Sequence, residues 1–167
     1  TNFDITIVLG YPSFSDSKLY NALGVIHGGK ILGTYFKQCL PNYQVFDEKR
    51  YFEPGNETCI VDVKNIRCAF TICEDLWEEG PARDARSVGA QMLININASP
   101  FHMNKLKERR ALLKTRCRQG GFPIIYVNLV GGQDELVFDG NSMVADAEGG
   151  CCFLAPSFEE NLYPVSI

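Results

Sequence analysis

Histidine is nearly absent from this sequence, with only His27 and His102 present. The seven cysteines, at positions 39, 59, 68, 73, 117, 151 and 152, form no Cys-x-x-Cys pair. A zinc site is therefore not expected. The odd cysteine count and irregular spacing give no disulfide framework and point to free thiols in a reducing, cytoplasmic compartment. A basic excess is also missing: 16 Lys and Arg stand against 20 Asp and Glu, a net charge of −4. That argues against a broad nucleic-acid-binding face. No apolar run approaches the length of a membrane span. Thr1-Asn2-Phe3-Asp4 has no basic segment leading into an apolar one, so it is not a signal peptide. No starting Met precedes the run Ile5-Thr6-Ile7-Val8-Leu9, and the chain reads as cut just before a buried strand. Nucleotide-binding glycine patterns are lacking too: there is no Gly-x-x-x-x-Gly-Lys-Ser/Thr and no Gly-x-Gly-x-x-Gly opening a helix.

What is present suits one globular domain over residues 1–167, long enough to bury a core. Asp4–Leu9 reads as a buried strand ended by Gly10-Tyr11-Pro12. Leu19–His27 and Lys30–Phe36 read as a hairpin about Gly28-Gly29. Cys39–Gly55 has no period and reads as a long loop, a kind that is usually functional. Cys59–Val63 and Arg67–Ile72 form a second strand pair, in which Cys59 and Cys68 are expected as small buried thiols. A short helix over Pro81–Gly89, a strand over Gln91–Asn97 and a long helix over Asn104–Gln119 follow. In the long helix Leu106, Leu113 and Cys117 share one face, while Lys105, Lys107, Arg109, Lys114 and Arg118 are expected to face elsewhere. Strands over Phe122–Leu129, Ser142–Asp146 and Cys151–Leu154 complete a mixed α/β sheet covered by helices.

Three places carry chemistry. Cys73 closes the apolar run Cys68–Ile72 and opens Glu74-Asp75-Leu76-Trp77. A strand end leading into a turn is where α/β proteins expose catalytic side chains, and a thiol beside a cation there can ionise to a nucleophile. A buried inert thiol is the plainer alternative. Lys37 ends its strand, either as a solvated charge or as a fixed cation for an oxyanion. The segment Phe46–Gly55 mixes five charges with three aromatics, so some of its charges are expected to be paired or partly buried.

In their order along the chain, Lys37–Tyr43, Val45–Gly55, Cys73–Trp77 and Asn97–Pro100 resemble the motifs of the nitrilase superfamily. With Val127–Gly140 added, the set is most similar to the glutaminase domains of glutamine-dependent NAD synthetases. The resemblance implies an α-β-β-α sandwich and a Glu–Lys–Cys triad. Cys73 would be the nucleophile, and Lys37 would stabilise the oxyanion together with the Glu74 backbone N–H. Glu48 matches an additional carboxylate near the triad. Tyr43, Glu74 and Ser99 match positions that shape the glutamine pocket.

The resemblance further implies glutamine as substrate, no cofactor in this domain, and a C-terminal synthetase domain that uses ATP and magnesium. A homo-oligomer is expected. The general-base Glu of such domains lies upstream of the triad Lys, yet this chain has only Asp4 and Asp16 before Lys37, and its first Glu is Glu48. The chain is thus expected to be an internal piece, lacking its first strand–helix unit and inactive alone. Two alternatives stand beside this reading: another amidase or carbamoyl-amide hydrolase of the superfamily, and a non-catalytic scaffold.

Overall fold

Three two-residue turns fold the first half of the chain. Asp16-Ser17, Gly28-Gly29 and Lys64-Asn65 each hold positive φ at both positions: 50° and 63°, 55° and 74°, 48° and 68°. That geometry matches the right-handed twist of paired strands, so each turn closes a hairpin. The structure, a computed structural model, describes residues 4–43 and 45–167. The expectations placed on Thr1–Phe3 lie outside the described residues.

The first two turns build an antiparallel sheet of β1 (Thr6–Ser15), β2 (Lys18–His27) and β3 (Lys30–Phe36), in that order. Two expectations are corrected here. Gly10-Tyr11-Pro12 does not end the first strand, which pairs with β2 from Thr6↔His27 to Ser15↔Lys18. β1 lies at the sheet edge, where a proline is tolerated. Nor is the strand buried: Val8 packs inward, while Ile7 and Leu9 are 47% and 41% exposed. A strand alternates faces, so only every second residue of the apolar run reaches the core.

The third turn joins β4 (Cys59–Val63) to β5 (Ile66–Ile72). Then come α1 (Glu79–Ser87), β6 (Met92–Asn97), α2 (Lys105–Gly120) and β7 (Ile124–Asn128). β5, β6 and β7 are parallel, and β4 pairs antiparallel with β5. Right-handed crossovers in one direction put both helices on one face of this sheet. After β8 (Val130–Gln133) and β9 (Leu136–Asp139), a separate hairpin not foreseen from the sequence, β10 (Met143–Ala145) and β11 (Cys151–Leu154) extend the sheet to β11-β10-β7-β6-β5-β4.

The parallel strands are apolar on both faces, so they seed two cores. Ala69, Leu93 and Ile124 face the helices with Ala85, Leu113 and Cys117. Cys68, Phe70, Ile72 and Met92 face the first sheet with Leu23, Val25 and Tyr35. The layers run helices, six-stranded sheet, three-stranded sheet, and among the described residues both α-helices lie on the six-stranded side.

Arg109 departs from expectation. It shares the buried face of α2 with Leu113 and Cys117 at i+4 and i+8, and it is 0% exposed. Its Nη1 donates to Asp139 Oδ1 at 2.7 Å and its Nη2 to the Ser99 carbonyl at 2.7 Å. Charge patterning put it off the apolar face, but a buried carboxylate and carbonyls hold it inside.

Candidate active site

The C-terminal ends of β5 and β6 and the end of β3 converge on one region. Cys73 follows β5 directly and opens a 3-10 turn, Cys73–Leu76. Its φ of 44° is the left-handed conformation, uncommon and strained for a residue with a side chain. The thiol stands between two clefts. One, about 400 Å³, is lined by Lys37, Glu48, Cys73, Asn21 and Asn97. The other, about 420 Å³, is lined by Cys73, Tyr43, Glu74, Trp77, Ser99 and Lys105. A further, apolar cleft of about 380 Å³ lies between β7, β10 and the segment 159–165, away from Cys73.

In the first cleft Lys37 is 2% exposed. Its Nζ donates to Glu48 Oε1 at 2.6 Å, and the Glu48 side chain keeps 20% of its exposure. The charge-rich loop therefore folds an acid inward. Leu40 is buried, Glu48 N donates to the Pro41 carbonyl at 3.2 Å, and Glu53 N donates to Leu19 O at 2.8 Å. Gly55 lies against β3, where a Cβ would collide with the Phe36 carbonyl. β3 and β5 belong to different sheets, so Lys37 and Cys73 line one cleft from two sheets.

Burial pushes the Cys73 thiol up to about 11; Lys37 pulls it down, and Glu74, Glu48 and Asp75 push it up. At neutral pH the resting residue is thus a thiol, and a base is needed to make the thiolate.

The second cleft is polar at one end. Tyr43 Oη donates to Glu74 Oε1 at 2.8 Å, and its ring meets Phe46 edge-on at 5.8 Å. Burial and the Glu74 acceptor hold the Tyr43 phenol above its usual range. Lys105, the first residue of α2, sits with its Nζ 4.0 Å from the Trp77 ring centroid, a cation–π contact. Ser99 is 3% exposed and fixed by its backbone: its N–H donates to Asn128 Oδ1 at 2.9 Å, and its carbonyl accepts from Arg109.

The structure thus gathers Lys37, Glu48 and Cys73 on one side and Tyr43, Glu74 and Ser99 on the other, with Cys73 common to both. Sequence reasoning missed Lys105, which it placed only off the apolar face of its helix; its position just after the Asn97–Pro100 segment was the available signal. It also left Asp75 without a function. Among the described residues no cluster of three or more His, Cys, Asp or Glu offers a metal site. No described helix is long and apolar enough to cross a membrane.

A glutamine-dependent NAD(+) synthetase of Aquifex aeolicus is 45% identical over 167 residues, covering 99% of this chain and 29% of that protein. The solved glutamine-dependent NAD+ synthetase of Acinetobacter baumannii is 37% identical with a TM-score of 0.93, covering 96% of this chain and 31% of that one. An amidase of the nitrilase superfamily from Nesterenkonia AN1 shares the fold at a TM-score of 0.81 and 22% identity, covering 92% of this chain and 58% of that one. The chain spans about three-tenths of the length of the synthetases it matches. The fold is nitrilase-like, and with residues 1–167 all matching the family described as carbon-nitrogen hydrolase, the chain belongs to that family.

Proposed function

We propose that this chain hydrolyses the side-chain amide of glutamine through a thioester on Cys73. In the longer protein it hands the ammonia to an ATP-dependent domain that amidates deamido-NAD to NAD. The observation that carries the reading is the place of Cys73 between a cleft with a buried Lys37–Glu48 pair and a cleft with Glu74 and Lys105. The first suits an oxyanion. The second suits a zwitterion, with Glu74 toward the α-ammonium and Lys105 toward the α-carboxylate.

The reaction then runs in two halves. The Cys73 thiol gives its proton to a base, and the thiolate attacks the amide carbon. The amide oxygen takes the negative charge and faces Lys37 Nζ and the Glu74 N–H. The tetrahedral carbon collapses, the C–N bond breaks, and ammonia leaves carrying the proton held by the base. Water then adds to the thioester, glutamate is released and the thiol is restored. Glu48 fixes Lys37 Nζ in place through their 2.6 Å ion pair. The base is, by the resemblance, a glutamate upstream of Lys37 in the longer protein. Tyr43 and Ser99 shape the pocket around the amide.

This reading needs no cofactor in the chain itself and assigns ATP and magnesium to the C-terminal synthetase domain, the chain's covalent partner. The names of the Aquifex aeolicus and Thermotoga maritima relatives support glutamine as substrate and NAD as product. A homo-oligomer in the cytoplasm completes the proposal. The test is ammonia release by the full-length protein from glutamine, asparagine, simple aliphatic amides and carbamoyl amides. Glutamine should be preferred by orders of magnitude in kcat/KM. Equal or better hydrolysis of a simple amide would make the protein an amidase of broader use.

A further inference from the structure

We propose that Asp75 is a positioning residue for the reaction at Cys73, stapling the segment that carries Lys37 to the turn that carries the nucleophile. The proposal rests on the reading of Cys73 as nucleophile. Asp75 is 1% exposed and lines neither cleft. Both of its oxygens are doubly engaged. Oδ2 accepts from Ile72 N at 3.0 Å and from Tyr35 Oη at 2.8 Å. Oδ1 accepts from Gln38 N at 3.1 Å and from Cys39 N at 2.7 Å.

The donors are not a random set. Ile72 immediately precedes Cys73, and Gln38 and Cys39 immediately follow Lys37. Tyr35, two residues before Lys37, is itself 1% exposed. One carboxylate therefore fixes both flanks of the cation–thiol pair, across the interface between two sheets. It also holds Cys73 in its left-handed conformation, since Ile72 N–H is tied to the side chain three residues on. With four donors in place the carboxylate has no capacity left for a substrate, so its action goes through Lys37 and Cys73.

The test uses the full-length protein and two variants, Asp75→Asn and Tyr35→Phe. An amide at position 75 would present N–H groups to backbone N–H groups, breaking half of the staple while keeping its size. Two quantities are read: kcat and KM for glutamine, and the pH midpoint of Cys73 alkylation by iodoacetamide, followed on the Cys73 peptide by mass spectrometry. A displacement of about 1 Å can cost on the order of 10² in rate. Asp75→Asn should therefore lower kcat by about a hundredfold with KM within about threefold. Tyr35→Phe, which removes one donor of four, should lower kcat by roughly three- to tenfold.

The alkylation midpoint separates positioning from plain charge. Lys37 lowers the Cys73 midpoint more strongly than Asp75 raises it. If Asp75 acts only by its charge, removing that charge moves the midpoint down. If it positions Lys37, the midpoint moves up in Asp75→Asn because the cation is no longer held against the thiolate. An upward shift with the kcat loss supports the proposal, and a downward or absent shift overturns it. Should Asp75→Asn fail to fold, Tyr35→Phe decides: a several-fold kcat loss at constant KM supports the proposal, and wild-type kcat overturns it. Should the wild-type protein hydrolyse no glutamine, the proposed function fails, and the alkylation midpoint still decides the role of Asp75.

Discussion

Lys37 Nζ lies 2.6 Å from Glu48 Oε1, and the two partners are buried unequally, at 2% and 20% side-chain exposure. Lys37 follows β3 directly, and Glu48 returns from within the long loop that comes after. Lys37→Met leaves Glu48 partly buried without its cation, while residual water softens the loss. The variant should lose about 2–3 kcal/mol of stability. The double variant Lys37→Met/Glu48→Met should lose less than the sum of the two single changes, because neither partner is then stranded. Urea unfolding of all four proteins checks this; an additive cycle would mean that the pair does not interact.

Cys73 should be slow to react at neutral pH. Its thiol is pushed up to about 11 by burial. A raised pKa means the thiolate fraction climbs about tenfold per pH unit until that midpoint. Iodoacetamide labelling of the Cys73 peptide between pH 7 and 11.5 should therefore rise with unit slope and flatten only near pH 11. In Lys37→Met the midpoint should move higher still, since Lys37 is the group that pulls it down. A plateau already reached by pH 9 would contradict the burial of the thiol.

Lys105 should govern binding and not chemistry. It lines the cleft beside Glu74 but not the cleft that holds Lys37. Lys105→Ala should raise KM for glutamine by about tenfold or more, with kcat within about threefold, as expected when an interaction present in ground and transition states alike is removed. The same variant should lose most of its preference for glutamine over an analogue lacking the α-carboxylate. Steady-state kinetics with both amides would reveal this. Unchanged KM would free the α-carboxylate site from Lys105.

Arg109 should be the costliest single charge to remove. It is fully buried, and its guanidinium reaches Asp139, the Ser99 carbonyl and the Pro100 carbonyl. Arg109→Met strands Asp139, itself 1% exposed, and should cost about 3–5 kcal/mol. Arg109→Lys should rescue little, because one ammonium cannot span the fork geometry. Thermal unfolding compares the three; an Arg109→Lys protein as stable as the parent would show that charge alone suffices.

Much of this could be read from the residues because the signals were local. The Gly28-Gly29 turn, the β3 limits and the end of α2 within one residue of Gln119 follow from backbone chemistry within a few residues. What stayed hidden was tertiary. The outward face of β1 could not be told from its inward face without knowing that β1 lies at an edge. Arg109 and Lys105 look like ordinary helix-surface cations until Asp139 and the Trp77 cleft are brought against them. Asp75 looked like one of two acids in Cys-Glu-Asp. Three of its four donors lie 36 to 40 residues away in sequence, which no local pattern encodes.

The most direct test of the account is chemical trapping of the intermediate on the full-length protein. Glutamine is added, the reaction is quenched in acid within the first turnover, and the peptide carrying Cys73 is weighed. The account predicts a γ-glutamyl adduct on Cys73, formed together with one ammonia per active site and absent from Cys73→Ala, which also releases no ammonia. Glutamine hydrolysis by Cys73→Ala at the wild-type rate, or an adduct on a cysteine other than Cys73, would contradict it.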